Sequence, residues 1–252
     1  MPRQAREKSS SGIYHVMLRG INRQNLFENN ADRQRFIDTI GYYKTISGYN
    51  LYGYCLMSNH VHLLVREADE SISMAIKRIS SSFVYWYNQK YNRCGHLFQE
   101  RYKSEAVESE GYFLTVLRYI HQNPVRAGIV KEMEQYPWSS YLEYLGKVNI
   151  TDVDFALDIF SANRDKAIEL FKKHSNEESE EQCLEIRENL RIPDEEIISY
   201  MKKLGIQTIS QLQRLEKKKR NEVIKELKKI EGISIRQMAR ITGISKSVIS
   251  RL

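Results

Sequence analysis

The order of apolar spacings between Ile13 and Gln122 constrains this chain more than any other feature. Ile13 to Leu18 is a nearly continuous apolar run closed by Arg19-Gly20, and it predicts a strand. Ala31 to Ile46 carries Phe36, Ile37 and Ile40 at helical spacing behind an Asn-Ala-Asp start, which predicts a helix. Asn50 to Met57 and His60 to Arg66 predict two strands separated by the turn-like pair Ser58-Asn59. Ile72 to Tyr91 predicts a second helix, with Ile76, Ile79, Phe83 and Tyr87 in one stripe. A further strand is expected over Tyr102 to Val107, and a third helix from about Glu110 to Gln122, ended by Pro124. The order β-α-β-β-α-β plus a helix implies an α+β fold. It is a ferredoxin-like split βαβ arrangement, with helices on one face of an antiparallel sheet and the other face free to bind something.

Charge divides the rest of the chain. Residues 1–150 carry 19 Lys and Arg against 14 Asp and Glu, residues 151–196 carry 6 against 14, and residues 197–252 carry 14 against 4. We therefore expect a first domain over 1–148 and an acidic linker over 149–193 with a short helix near Asp165–Lys173. A basic helical module is expected over 194–252. A basic block behind an acidic one suits a module that faces a polyanion, and it equally suits a solvated helical face. There is no apolar run of the roughly 18 residues that a membrane span needs. Met1 to Gly12 is polar and basic with no apolar stretch behind it, so no secretory signal is expected. Cys55, Cys94 and Cys183 are far apart and form no CxxC pair, which fits a reducing cytoplasm.

Two short segments carry chemistry. In Asn59-His60-Val61-His62-Leu63-Leu64-Val65, strand alternation sends His60 and His62 to one face and Val61, Leu63 and Val65 to the other. Two imidazoles side by side can make a two-point metal site, or stand as two ordinary surface histidines. In Leu117-Arg118-Tyr119-Ile120-His121-Gln122-Asn123-Pro124, Tyr119 and Asn123 are four apart on a helix and share a face. The residue before a proline is pushed out of helical geometry, which places Asn123 at a fraying end.

Several phrases together resemble the REP-associated tyrosine transposases of the HUH endonuclease superfamily. They are His15-Val16-Met17-Leu18-Arg19-Gly20, Met57-Ser58-Asn59-His60-Val61-His62-Leu63-Leu64, Gly95-His96-Leu97-Phe98-Gln99-Glu100-Arg101-Tyr102-Lys103, Arg118-Tyr119-Ile120-His121-Gln122-Asn123-Pro124-Val125-Arg126-Ala127-Gly128 and Tyr136-Pro137-Trp138-Ser139-Ser140-Tyr141. They run in the family's order over residues 12–145. The resemblance implies that His60 and His62 are metal ligands, that Tyr119 is the nucleophile and that Asn123 is the third ligand. Related insertion-sequence transposases carry glutamine at that place, and asparagine is one methylene shorter. Ser58 stands where the family often has proline.

The implied ion is Mg²⁺ or Mn²⁺, although imidazole ligands also suit zinc. A phenol with a pKa near 10 is a poor nucleophile at neutral pH, and a divalent ion on the scissile phosphate relieves that. The resemblance implies single-stranded or hairpin DNA as substrate and a short recognition tetranucleotide beside the hairpin; it points to a monomer as the working unit, with a dimer that shares active sites, as in short relatives, the alternative. No Walker-type phosphate loop occurs, which fits strand transfer without a nucleotide cofactor. Arg19, Arg23, Arg101, Lys103, Arg118 and Arg126 are candidates for phosphate contacts, and Tyr102, Phe98 and His96 for stacking on unpaired bases. Two other classes share these features: a non-catalytic DNA-binding regulator of the same fold, and a nickase of rolling-circle replication or plasmid transfer.

The tail from Ile233 to Leu252 is similar to a helix-turn-helix. Small Ala239 would let the two helices approach, Gly243 would permit the turn, and Ile244, Val248 and Ile249 would pack the second helix. Ser245, Lys246, Ser247 and Arg251 would then face DNA. A plain helical hairpin that binds protein is the alternative.

Overall fold

The computed structural model describes residues 7–99, 101–177, 183, 194–230, 233 and 235–252. The first unit runs β1 (Ile13–Arg19), α1 (Asn30–Ser47), β2 (Asn50–Leu56), β3 (His60–Arg66), α2 (Ile72–Lys90), β4 (Lys103–Ala106) and α3 (Glu110–Arg126). It continues through α4 (Tyr141–Tyr144), α5 (Asp154–Phe160) and α6 (Arg164–Ser175). The strands form one sheet in the order β2-β3-β1-β4, with every neighbouring pair antiparallel. This is the expected split βαβ topology, with element ends shifted by a residue or two except at the end of α3, which runs four residues further.

Strand alternation sorts the sheet into two faces. Tyr14, Val16 and Leu18 of β1 and Val61, Leu63 and Val65 of β3 meet Phe36 and Ile40 of α1 and Ile76 and Phe83 of α2. Phe27, Phe36 and Phe83 form an edge-on aromatic cluster with ring centroids 4.8–5.8 Å apart. Burying each such ring stabilises by about 1.5–3 kcal/mol, so this face anchors both helices. α1 starts at Asn29, whose side chain accepts from the Asp32 amide in a reciprocal capping box, and stops at left-handed Gly48.

The opposite face is not left open, contrary to the sequence expectation. α3 lies across β2 and β3, packing Phe113, Val116, Leu117 and Ile120 over Tyr52, Cys55 and Leu64. A register shift between Leu51 and Gly53 makes Tyr52 a bulge that turns it toward this face. Gly53 is what lets α3 come this close: a Cβ there would lie 2.8 Å from Leu117 Cδ1.

Pro124 does not end α3, as the sequence suggested. It costs one backbone bond in the last turn, while the Ala127 amide still reaches the Asn123 carbonyl at 3.0 Å. The helix stops at Gly128, which is left-handed (φ 67°), and the Ile129 amide closes back on the Pro124 carbonyl.

The acidic stretch expected to act as a linker is folded over its first part. α5 and α6 pack Leu157, Ala167 and Phe171 into the α3 side of the first unit. Apart from Cys183, residues 178–193 lie outside the described residues. The chain divides into units at 1–184 and 185–252. The second unit holds α7 (Asp194–Lys203), α8 (Ile209–Arg214), α9 (Lys217–Lys229), α10 (Ile235–Thr242) and α11 (Lys246–Arg251). Its own core includes Ile197, Met201, Leu212, Ile224, Leu227, Met238, Ile241 and Ile249. Among the described residues, no helix is long and apolar enough to cross a membrane.

Candidate active site

β3 supplies the histidines, and its register fixes their neighbours. His62 pairs with Met17 of β1 and Cys55 of β2, and His60 pairs with Arg19. Residues directly opposite in an antiparallel pair share a face. His15, Met17 and Arg19 therefore stand beside His60 and His62, and β4 adds Lys103 opposite Met17 and Glu105 opposite His15. The His60 and His62 rings lie edge-on with centroids 4.9 Å apart.

Each imidazole is held through Nδ1. His60 Nδ1 is 2.7 Å from Asn59 Oδ1, and His62 Nδ1 is 2.9 Å from His15 Nε2. Burial pushes His60 down to about 4, with the Arg19 charge adding to the effect. His62, only 1 % exposed, is held well below the usual imidazole range by burial and by the two neighbouring histidines. His15, with no exposed surface, is lowered by burial, and the Glu105 carboxylate opposes that shift. All three rings are neutral at pH 7, the state in which an imidazole can ligate a metal.

α3 brings Tyr119 over this cluster. Its ring centroid is 5.6 Å from His62 and 5.9 Å from His15, edge-on in both cases. The Arg126 guanidinium lies over the same phenol ring at 5.3 Å. Tyr119 is buried, with 8 % of its surface exposed. Asn123 sits one helical turn on and is held inside α3 rather than at a fraying end. Its Nδ2 donates to the Tyr119 carbonyl at 2.8 Å, which leaves Oδ1 as the donor atom it could offer a cation. Among the described residues, no group of three or more His, Cys, Asp or Glu side chains is arranged to hold a metal ion.

The basic residues separate once placed. Arg19 and Lys103 stand on the histidine face, Arg126 caps Tyr119, and Arg23 and Arg101 are exposed on loops. Arg118 is turned away instead: it is 8 % exposed and its Nη1 lies 3.2 Å from Glu177 Oε2. Successive helical residues are about 100° apart, so a helix that aims Tyr119 at the sheet must aim Arg118 elsewhere. Tyr102 is likewise turned inward: its ring belongs to the α1–α2 core and its hydroxyl lies 2.6 Å from Ser73 Oγ. It is not free to stack on a base. Residues 97–99 strap across the end of β1, where the Gln99 amide donates to the Arg19 carbonyl at 2.9 Å. The strap leaves His96 exposed and Phe98 half-buried. Behind it, Met74, Lys77, Ser80, Phe98 and Arg101 line a cavity of about 550 Å³.

Sequence reasoning missed His15 and Glu105. Alternation along β1 places His15 on the same face as Met17 and Arg19, but nothing local says that this face is the one His62 occupies. That requires the β1–β3 register.

In the second unit, α10 and α11 are separated by residues 243–245, and Gly243 is left-handed (φ 70°). Ser245, Lys246, Ser247 and Arg251 are exposed, as expected. Ile249 is buried and Ile244 half-buried, but Val248 is 39 % exposed and does not pack the helix as the sequence suggested.

His62 and His15 thus lie against a helix-borne tyrosine on a split βαβ sheet. Residues 8–123 match the family model described as transposase IS200 like, so the resemblance to the tyrosine transposases holds over the stretch that carries His60, His62, Tyr119 and Asn123. More particularly, a Haemophilus influenzae protein named for the REP-associated tyrosine transposases is 26% identical over 99 residues. That alignment covers 34% of this chain and 56% of the relative, little more than half its length. The solved structure of a REP-associated tyrosine transposase bound to a REP hairpin superposes with a TM-score of 0.51. It shares 18% identity over 61% of this chain and 90% of that one, a likeness of fold.

Proposed function

We propose that this chain is a metal-dependent single-stranded DNA endonuclease and strand transferase acting on hairpin-containing DNA. The observation that carries the reading is the Tyr119 ring packed edge-on against His62, on the face that also holds His60. A structural tyrosine would not need the two buried, neutral imidazoles of His62 and His15 against its ring. Family likeness over residues 8–123 and a fold neighbour bound to a REP hairpin support the same conclusion.

His60, His62 and Asn123 offer neutral donors of the kind a divalent ion takes. His60 and His62 are each engaged through Nδ1, which leaves Nε2 as the ligating atom, and Asn123 Oδ1 is the candidate third donor. When bound there, Mg²⁺ or Mn²⁺ withdraws charge from the scissile phosphate and stabilises its anionic transition state. Tyr119 Oη attacks the phosphorus, the bond to the 3′ oxygen breaks, and the products are a 5′-phosphotyrosine and a free 3′-OH. The phenol gives up its proton to solvent and the leaving 3′ oxygen takes one from it. The phosphotyrosine keeps the energy of the broken linkage, and a second 3′-OH can reverse the step to join a new strand. Arg19, Lys103 and Arg126 hold backbone phosphates around the tyrosine, and Arg23 and Arg101 extend the track. In the second unit, Ser245, Lys246, Ser247 and Arg251 on the exposed face of α11 contact duplex DNA.

The test is incubation of the protein with labelled single-stranded hairpin DNA and Mn²⁺, followed by denaturing electrophoresis. A covalent adduct is expected, lost with chelator and in Tyr119→Phe. Hairpin binding without an adduct would instead identify a non-catalytic DNA-binding protein, and an adduct that survives Tyr119→Phe would refute the nucleophile.

A further inference from the structure

The geometry points to His15 as a positioning residue: backed by Glu105, it fixes His62 in the tautomer with hydrogen on Nδ1 and the lone pair on Nε2. The inference deepens the metal-site reading above and rests on it for its purpose. A bare His-x-His pair leaves open which nitrogen of each ring carries the proton, and half of the neutral tautomers present an N–H where a ligand is needed. For His60 the matter is local, because Asn59 Oδ1 at 2.7 Å can only accept and so holds the hydrogen on Nδ1.

For His62 the partner is another imidazole, and 2.9 Å between His15 Nε2 and His62 Nδ1 admits a hydrogen bond in either direction. Glu105 breaks the tie. Its Oε2 lies 3.9 Å from His15 Nδ1, within ion-pair range though beyond a hydrogen bond. His15 has no exposed surface, so the neutral ring carries one N–H and one lone pair. A carboxylate beside Nδ1 attracts the N–H there and repels a lone pair. The hydrogen of His15 therefore sits on Nδ1, its Nε2 accepts, and His62 Nδ1 must donate. That leaves His62 Nε2 as the ligating atom. β-sheet register enforces the chain of three, since His15 stands opposite Glu105 on β4 and two residues along β1 from Met17, the partner of His62 on β3, a diagonal neighbour on the same face. Carboxylate–imidazole support behind a ligand is worth about 10–100-fold in metal affinity.

The test uses the ¹⁵N-labelled full-length protein without metal, reading ring tautomers by two-bond ¹H–¹⁵N correlation, beside Mn²⁺ binding measured by EPR. The wild type is expected to show His62 with hydrogen on Nδ1. Glu105→Lys should invert the relay, because an ammonium favours a lone pair on His15 Nδ1; His62 then carries its hydrogen on Nε2 and Mn²⁺ affinity falls about 10–100-fold. The Glu105 side chain is 34% exposed on an edge strand, so the variant is expected to fold, and Glu105→Gln should keep most of the wild-type affinity. A purely structural role for His15 does not predict inversion. Hydrogen on His62 Nε2 in the wild type, or an unchanged tautomer in Glu105→Lys, would overturn the inference. Correct tautomers with no Mn²⁺ binding would uphold the relay and sink the metal reading instead.

Discussion

Gly53→Ala tests the link between packing and chemistry most directly. The added Cβ would meet Leu117 Cδ1 at 2.8 Å, about 1 Å inside a normal carbon–carbon contact. Leu117 is 1 % exposed, so rotating its methyl away only transfers the overlap to other core groups. Overpacking of this kind costs roughly 1–3 kcal/mol, whereas replacing glycine gains about 0.4–1 kcal/mol through the unfolded chain. The overlap wins, and a net loss of about 1–2 kcal/mol is expected, read as a fall in melting temperature of the order of 2–4 °C per kcal/mol. Relief by lifting α3 moves Tyr119, two residues on, away from His62. A misplacement near 1 Å is worth about 100-fold in rate. On the proposed function, adduct formation should therefore drop far more than DNA binding, which Arg23 and Arg101 would support independently. Adding Leu117→Ala removes the clashing methyl, so the double variant should lose less than the sum of the two single losses. A more stable Gly53→Ala protein with an unchanged rate, or strictly additive losses, would refute the argument that this glycine sets the height of α3.

The two arginines of α3 should separate cleanly. Arg126→Ala is expected to weaken single-stranded DNA binding and flatten its salt dependence by a slope of about 1, while Arg118→Ala leaves the slope unchanged because it releases Glu177 rather than phosphate. Acid stability offers another check. His121 has no exposed surface, donates to or accepts from Ser140 Oγ at 2.8 Å and is pushed down to about 3 by burial. Its folded form binds a proton less readily than the unfolded chain, so its contribution to stability is constant above pH 6.5 and falls as pH drops toward 3, by about 3 kcal/mol at pH 4, alongside the contributions of the likewise lowered His15, His60 and His62. His121→Phe should flatten that limb in denaturant titrations across pH 6.5–4; an unchanged slope would show that other groups set it. In the second unit, Lys246→Ala with Arg251→Ala should weaken binding to duplex DNA and lower its salt slope by about 2, measured by fluorescence anisotropy. Equal binding by the variant would move the contact off α11.

Local pattern carried a large part of this fold. Period-two and period-3.6 spacings are properties of single segments, and they located β1 to β4 and α1 to α3 to within a few residues. The same alternation put His60 and His62 on one face of β3 and aligned Tyr119 with Asn123 on α3. Errors arose where a neighbour distant in sequence decides. Pro124 looked like a stop, but the cost of one lost bond is small beside the packing of the turn it belongs to. The acidic composition of 149–193 suggested a tether, yet within it an apolar stripe of a few residues was enough to seat α5 and α6.

What the sequence by itself determined was the order of the elements and the residues each could present: the two histidines, the tyrosine and the basic set. What only the tertiary structure decided was which surfaces meet. A helix must bury some face, but periodicity does not say against which side of the sheet. α3 lies on the histidine face because Gly53 and the Tyr52 bulge make room for Leu117 there, and that choice turns Tyr119 inward and Arg118 outward. His15 and Glu105 join the site only through the pairing of β1 with β3 and β4, a register fixed by burial across the whole sheet rather than by any segment of it.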